Sequence, residues 1–276
     1  MAVRRRLPLG IIVPLAEPLQ PVMDHVAELG LDTCQLGCWQ PDRFTPALAR
    51  QARQAARRAG ITISSFWAGY TGPVVWDFLR GPATCGLVPA EYRPQRVREL
   101  KRGADFAADL GTPWVATHLG FVPENPADPL YRGFVSAVRR VAEHCAQHQL
   151  TFAFETGQET PTALLRLIED LGLDNLGINL DPANLILYGK ANPVDALDVI
   201  GRYVVGIHAK DGCYPTDGRR LGHETALGRG KVDFPRLLRG LKKLDFRGPV
   251  IIEREISGPQ QIRDIRKAMK LLKPLL

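Results

Sequence analysis

The chain lacks an apolar run near the roughly 20 residues that a membrane helix requires. Its longest candidate, residues 7–16, is broken by two prolines and a glycine. That run follows a short basic start but has no small-residue cleavage site, so it is expected to form a buried first strand in a cytoplasmic protein. Cysteine is also sparse: the five residues are odd in number and widely spaced, without zinc-ribbon spacing. This predicts free thiols in a reducing compartment and no disulfide framework. The net charge is +7, yet no continuous basic stripe accompanies it. Short clusters such as Arg57-Arg58 and Arg139-Arg140 do not make a phosphate-backbone surface, so nucleic acid is not an expected partner. Glycine-rich phosphate turns are missing too, because Leu15-Ala-Glu-Pro-Leu19 follows the first strand where a doubly wound nucleotide-binding fold would carry its glycines. Low complexity is absent as well, with 26 Gly and 22 Pro among 276 residues, which excludes a disordered chain.

What the chain does have is alternation. Short β-branched apolar runs at 9–14, 33–37, 62–66, 114–118, 151–155, 176–181, 204–210 and 250–253 are each followed by a segment with helical periodicity. The helices are expected at 18–29, 45–59, 91–110, 130–149, 160–171, 192–201, 233–244 and 258–273, with Gly30, Gly60, Gly111 and Gly172 placed as left-handed caps. Eight such pairs without a linker predict an α/β fold, a single (β/α)8 barrel spanning residues 1–276 as one domain. The longest connection, residues 67–89, is rich in glycine and aromatic residues, and is expected to wall a pocket.

The last residues of strands five to eight are Glu155, Asp181, His208 and Glu253, all after strongly apolar runs. Each is costly to bury unless paired or metal-bound. Their spacings of 26, 27 and 45 residues exclude local ion pairs but bring all four to one point when a barrel closes. Three carboxylates and one imidazole form a mostly hard-oxygen site suited to one divalent ion: Mn²⁺ foremost, with Mg²⁺, Co²⁺ or Zn²⁺ also compatible.

The segments Glu155-Thr-Gly157, Asn179-Leu-Asp-Pro-Ala-Asn184, His208-Ala-Lys-Asp211, Leu227-Gly-Arg-Gly-Lys-Val-Asp-Phe234 and Val250-Ile-Ile-Glu253 together resemble the sugar phosphate isomerase/epimerase family of xylose isomerase-like barrels. The resemblance implies one divalent metal held by Glu155, Asp181, His208 and Glu253. It departs from the ketose 3-epimerase pattern, which carries a His and an Arg where this chain has Asn184 and Tyr214. Lys210-Asp211 is instead similar to members that include inosose dehydratases. Gly222-His-Glu-Thr-Ala-Leu-Gly-Arg-Gly230 is loosely similar to a loop of endonuclease IV, but Trp67 and Leu221 stand where further zinc ligands would be needed.

A metal chelated by a carbonyl and its neighbouring hydroxyl acidifies the adjacent C–H by stabilising the enediolate. Glu155 and Glu253 are the expected acid–base pair, with Lys210 as a further catalytic or substrate-binding group; a salt bridge to Asp211 is its alternative role. His118, Trp67, Asn184 and His223 are the other substrate-contact candidates. The expected activity is therefore metal-dependent isomerisation or epimerisation of a sugar, sugar phosphate or keto-sugar. A dehydratase-type lyase is the alternative and an endonuclease IV-like nuclease the remote one. A small carbohydrate is the expected partner, membranes are not, and self-association is left open. His144 and His148, four apart on an outer helix, are expected to face solvent.

Overall fold

The computed structural model describes residues 6–276; the basic start of the chain otherwise lies outside the described residues. Eight parallel strands close into a barrel: β1 (Leu9–Pro14), β2 (Thr33–Cys38), β3 (Thr62–Ala68), β4 (Trp114–Thr117), β5 (Thr151–Glu155), β6 (Leu176–Leu180), β7 (Val204–Ala209) and β10 (Val250–Ile252). Residues 9–14 are thus the buried first strand that the sequence predicts, and β1 seals the barrel by pairing Leu9–Ile11 with Val250–Ile252. Two further strands, β8 (Asp211–Cys213) and β9 (His223–Thr225), form an antiparallel hairpin in the connection after β7.

The connecting helices are α1 (Leu19–Glu28), α2 (Pro46–Ala59), α3 (Gly81–Thr84), α4 (Arg93–Leu110), α5 (Tyr131–Gln147), α6 (Pro161–Leu171), α7 (Pro182–Leu187), α8 (Leu197–Ile200), α9 (Phe234–Lys243) and α10 (Pro259–Leu272). Their signals are local. Thr45 and Thr160 cap α2 and α6 by accepting the Leu48 and Ala163 N–H groups, with proline in the first turn of each. Left-handed Gly60, Gly111 and Gly172 end α2, α4 and α6. Leu48, Ala49, Ala52, Ala55 and Ala56 supply the buried face of α2, and the small alanines let the helix lie close to the sheet. The helix expected over 192–201 forms only in part: Asn192 Oδ1 instead accepts the Val194 N–H in a local turn, and one short helix, α8, follows. None of the described helices is long and apolar enough to cross a membrane.

Strand periodicity then decides which side chains enter the barrel. Phe152, Phe154, Ile178, Leu180, Ile207, Val250 and Ile252 pack outward in the large cluster beneath the helices. Ala116, Ala153, Trp67 and Trp114 form a separate inner cluster. Because alternate residues share a face, Ala153 hands its inward direction to Glu155, Asn179 to Asp181, Gly206 to His208 and Ile251 to Glu253.

Candidate active site and metal centre

The four inward residues converge. Glu155, Asp181 and His208 are buried and Glu253 nearly so, and one ligand atom from each falls within 4.8 Å of the others. His208 Nδ1 lies 2.8 Å from Glu253 Oε2, 3.2 Å from Glu155 Oε1 and 3.7 Å from Asp181 Oδ2. His208 Nδ1, Asp181 Oδ2 and Glu253 Oε2 are buried without a hydrogen-bond partner. Three unpartnered polar atoms facing one point, with two hard-oxygen carboxylates and an imidazole among them, fit a divalent cation.

The surrounding residues fix these orientations. Gln35 gives its Nε2–H to Ser65 Oγ at 2.8 Å, which turns its Oε1 toward His208 Nε2 at 2.7 Å. Gln35 therefore holds a proton on Nε2, and Nδ1 is the nitrogen that faces the centre. The Asn179 carboxamide lies 2.9 Å from the same Nε2 and accepts its proton when the amide presents its oxygen there. Both supports lie beside register shifts, at Cys34/Gln35 and Ile178/Asn179, where the neighbouring strand carries the extra residue, Ser64 in β3 and Val205 in β7. Asp181 begins α7 and spends Oδ1 on the Asn184 N–H at 2.9 Å, which leaves Oδ2 for the centre. Glu155 Oε2 accepts from Trp67 Nε1, while Oε1 lies 3.5 Å from His118 Nε2.

Charge in the centre is mutually dependent. Burial alone would raise the Glu155 and Glu253 carboxyls. Both nonetheless lie below the ordinary value, Glu155 through His118 and His208 and Glu253 chiefly through Lys210 and His208. Burial would likewise lower His208 and Lys210, but the surrounding carboxylates hold both well above their ordinary values.

Above the centre lies a cavity of about 500 Å³. Lys210 projects into it rather than toward Asp211: its Nζ is 3.1 Å from Glu255, 3.6 Å from Asp181 and 3.7 Å from Glu253. Asp211 is occupied elsewhere, accepting the N–H groups of Gly228, Gly230 and Val232 and so folding the Leu227-Gly-Arg-Gly segment around itself. A Cβ at Gly230 would meet Asp211 Oδ1 at 2.1 Å, so the glycine is required by contact. The Lys210–Asp211 salt bridge considered from sequence is not formed.

Trp39, Trp67, Trp76 and His118 make an aromatic wall on the cavity, with the Trp39 and Trp67 rings 4.6 Å apart and Trp76 5.0 Å from His118. Trp76 belongs to the long 67–89 connection. That segment hangs from α4 by fully buried Arg96, whose guanidinium donates to the carbonyls of Thr71, Pro73, Thr84 and Gly86.

Of the substrate-contact candidates, His118, Trp67, Asn184 and Lys210 line the cavity. His223 does not: it pairs with Cys213 in the β8–β9 hairpin and is exposed, and Leu221 takes the wall position beside it. Tyr70 is also off the wall, buried with its hydroxyl accepting the Gly86 N–H. Arg254 turns away to Glu224 and Asp264, each at 3.0 Å. Trp76, Gln158, Tyr188 and Glu255 line the cavity although sequence periodicity carries no sign of them.

Comparison with known proteins places this geometry. The chain is similar, at 36% identity and a TM-score of 0.89, to a xylose isomerase domain protein from Planctomyces limnophilus, over 99% of this chain and 98% of that one. It shares its fold with 3-keto-D-glucoside 4-epimerase from E. coli (16% identity, TM-score 0.72, 98% and 100% of the two chains). It shares it too with a probable 3-DHS dehydratase from Bacillus anthracis (17% identity, TM-score 0.69, 96% and 98%). The family model described as xylose isomerase-like TIM barrel matches residues 23–275. The protein belongs to the xylose isomerase-like TIM barrel family.

Proposed function

We propose that this protein is a divalent-metal-dependent isomerase or epimerase of unphosphorylated sugars or keto-sugars, with Glu155 and Glu253 as its acid–base pair. The observation that carries this reading is the meeting of two carboxylates from strands three steps apart, β5 and β10, around one imidazole nitrogen at the floor of the cavity. Epimerase and dehydratase names among proteins of the same fold support the reaction class.

Glu155, Asp181, His208 and Glu253 would hold the ion, with Mn²⁺ expected. When bound, it supplies Lewis acidity that brings the C–H beside a carbonyl within reach of a carboxylate base. One glutamate takes that proton as the C–H electrons move toward the carbonyl oxygen, and the other returns a proton to carbon. Delivery to the opposite face gives an epimer, and delivery to the neighbouring carbon exchanges aldose and ketose. The Trp67 N–H fixes Glu155, and the aromatic wall excludes water and offers flat apolar surface to the sugar's C–H faces.

The lining charges argue for a substrate without phosphate. Among the described residues, Lys210 is the lysine or arginine on the cavity wall, and it faces three carboxylates. Arg254 is committed to Glu224 and Asp264, and Arg229 and Lys231 are exposed outside the cavity. A phosphate would enter an acidic field with no unshared cation to meet it.

A lyase of the dehydratase or keto-sugar type is the second reading, favoured by the position of Lys210. Its ammonium points into the cavity, where it can protonate a departing hydroxyl. Incubation with ketoses, keto-sugars and inososes in deuterated water with Mn²⁺, followed by proton NMR, separates the cases. Deuterium at the carbon beside the carbonyl supports proton transfer, whereas a new alkene or dehydrated product supports the lyase. Turnover without deuterium in either pool overturns the acid–base assignment and points to hydride transfer between carbons.

A further inference from the structure

Two histidines on the outside of the barrel are not as free as their sequence position suggests. His144 lies in the last turn of α5 and His148 is its C-cap residue, four positions on, so both rings leave the helix on one side. Asp105 reaches them from α4. Its Oδ1 is 2.7 Å from His144 Nε2 and 2.8 Å from His148 Nε2. The two rings are 5.2 Å apart, and the three potential ligand atoms lie within 4.8 Å of one another. Cys145, between the histidines, is buried in the core and its thiol is pushed up to about 12 by burial. The available donors are therefore two imidazoles and one carboxylate.

We propose that Asp105, His144 and His148 form a second, external site for a borderline transition-metal cation, with Zn²⁺ as its strongest candidate. Ligands about 2.0–2.1 Å from a tetrahedral ion stand roughly 3.4 Å from each other. The two Asp105–histidine separations, 2.7 and 2.8 Å, must open and the third lies within 4.8 Å, adjustments that rotation of surface side chains supplies. Two imidazoles select Zn²⁺, Co²⁺, Ni²⁺ or Cu²⁺ over Mg²⁺ or Ca²⁺. The side chains of Asp105, His144 and His148 are 50%, 21% and 34% exposed, so the helix side is shielded and the solvent side is open for a water ligand. Because α4 and α5 each contribute, the ion clamps neighbouring helices and stabilises only the folded arrangement. This site stands apart from the barrel centre, so it does not depend on the proposed reaction.

The test is zinc stoichiometry. The full chain is stripped with chelator and dialysed against Zn²⁺, and bound metal is counted by mass spectrometry. The same is done for His144→Gln/His148→Gln and, separately, for Asp105→Asn. The double variant is expected to hold one Zn²⁺ fewer per chain than the wild type, while Asp105→Asn weakens the same site. This difference persists whether or not the barrel centre also takes zinc, so failure of the catalytic reading leaves it intact. Equal zinc content in the wild type and both variants, each with unchanged circular dichroism, overturns the proposal. A loss of equal size with Mg²⁺ also overturns it, because the donor set predicts selection against that ion.

Discussion

Replacing Glu159 by Gln tests whether the loop between β5 and α6 buries a neutral carboxylic acid. Glu159 is 2% exposed, Oε1 accepts only the Gly157 N–H at 3.3 Å, and Oε2 has no partner. Burial pushes its pKa up to about 8, with backbone donors and Lys190 opposing the rise. The unfolded chain titrates near 4.3 at such a residue. Below that pH both states carry the proton and the group has no effect on stability. Between it and about pH 8 only the folded protein keeps the proton, so stability falls as pH rises; above the folded pKa the penalty is constant. At about 1.4 kcal/mol per unit, the full penalty approaches 5 kcal/mol as an upper bound. Gln removes the titration while retaining an oxygen for Gly157, so its advantage over wild type should be a few kcal/mol at pH 8.5 and fade toward pH 5. Urea unfolding of both proteins at pH 5, 6.5 and 8.5, followed by circular dichroism, measures this difference with all other titrating groups cancelled. A difference independent of pH, or one that grows toward acid, refutes the reasoning.

The remaining predictions concern the site and its wall. Glu253→Gln should slow solvent deuterium exchange by about 10²–10⁴-fold, as loss of a positioned base does, while its amide oxygen still supports some metal binding. Lys210→Met should lower turnover far more than metal content, measured on the same preparation; unchanged kinetics would assign Lys210 to charge balance alone. Arg96→Leu strips four carbonyls of their donor, and the 71–86 segment should become a site of rapid proteolytic cleavage with a destabilisation of about 3 kcal/mol or more. Metal analysis of the chain loaded with Mg²⁺, which the external histidine site disfavours, should find one divalent ion in the barrel centre that is lost in an Asp181→Asn/Glu253→Gln double variant.

The barrel was legible because two periods alternate along the chain, and each glycine cap or Thr-Pro start marks where one gives way to the other. The four candidate ligands were legible for a related reason: they interrupt apolar strands at equivalent positions. Their supports were harder to see. Gln35 and Asn179 are polar residues inside strands, a detectable anomaly, but only the closed barrel shows that both meet His208, from strands 173 and 29 residues away in sequence. α7 and the β8–β9 hairpin are too short for a period to emerge. Arg96 resembles every other arginine on α4 until the 71–86 carbonyls fold over it. His223 illustrates the converse error: a histidine in a loop beside the site invites a contact role, whereas hairpin pairing sends it to solvent.

The suspension of the 71–86 segment from Arg96 has an evolutionary consequence. The bonds to Arg96 run from an outer helix to backbone carbonyls, so they are indifferent to the side chains between Thr71 and Thr84. Residues at the segment's tip, Trp76 among them, can therefore be exchanged as a cassette while the strands that carry the acid–base pair keep their register. A lineage could change sugars by rewriting this loop without rebuilding its chemistry, and loop grafting between relatives offers the laboratory the same route.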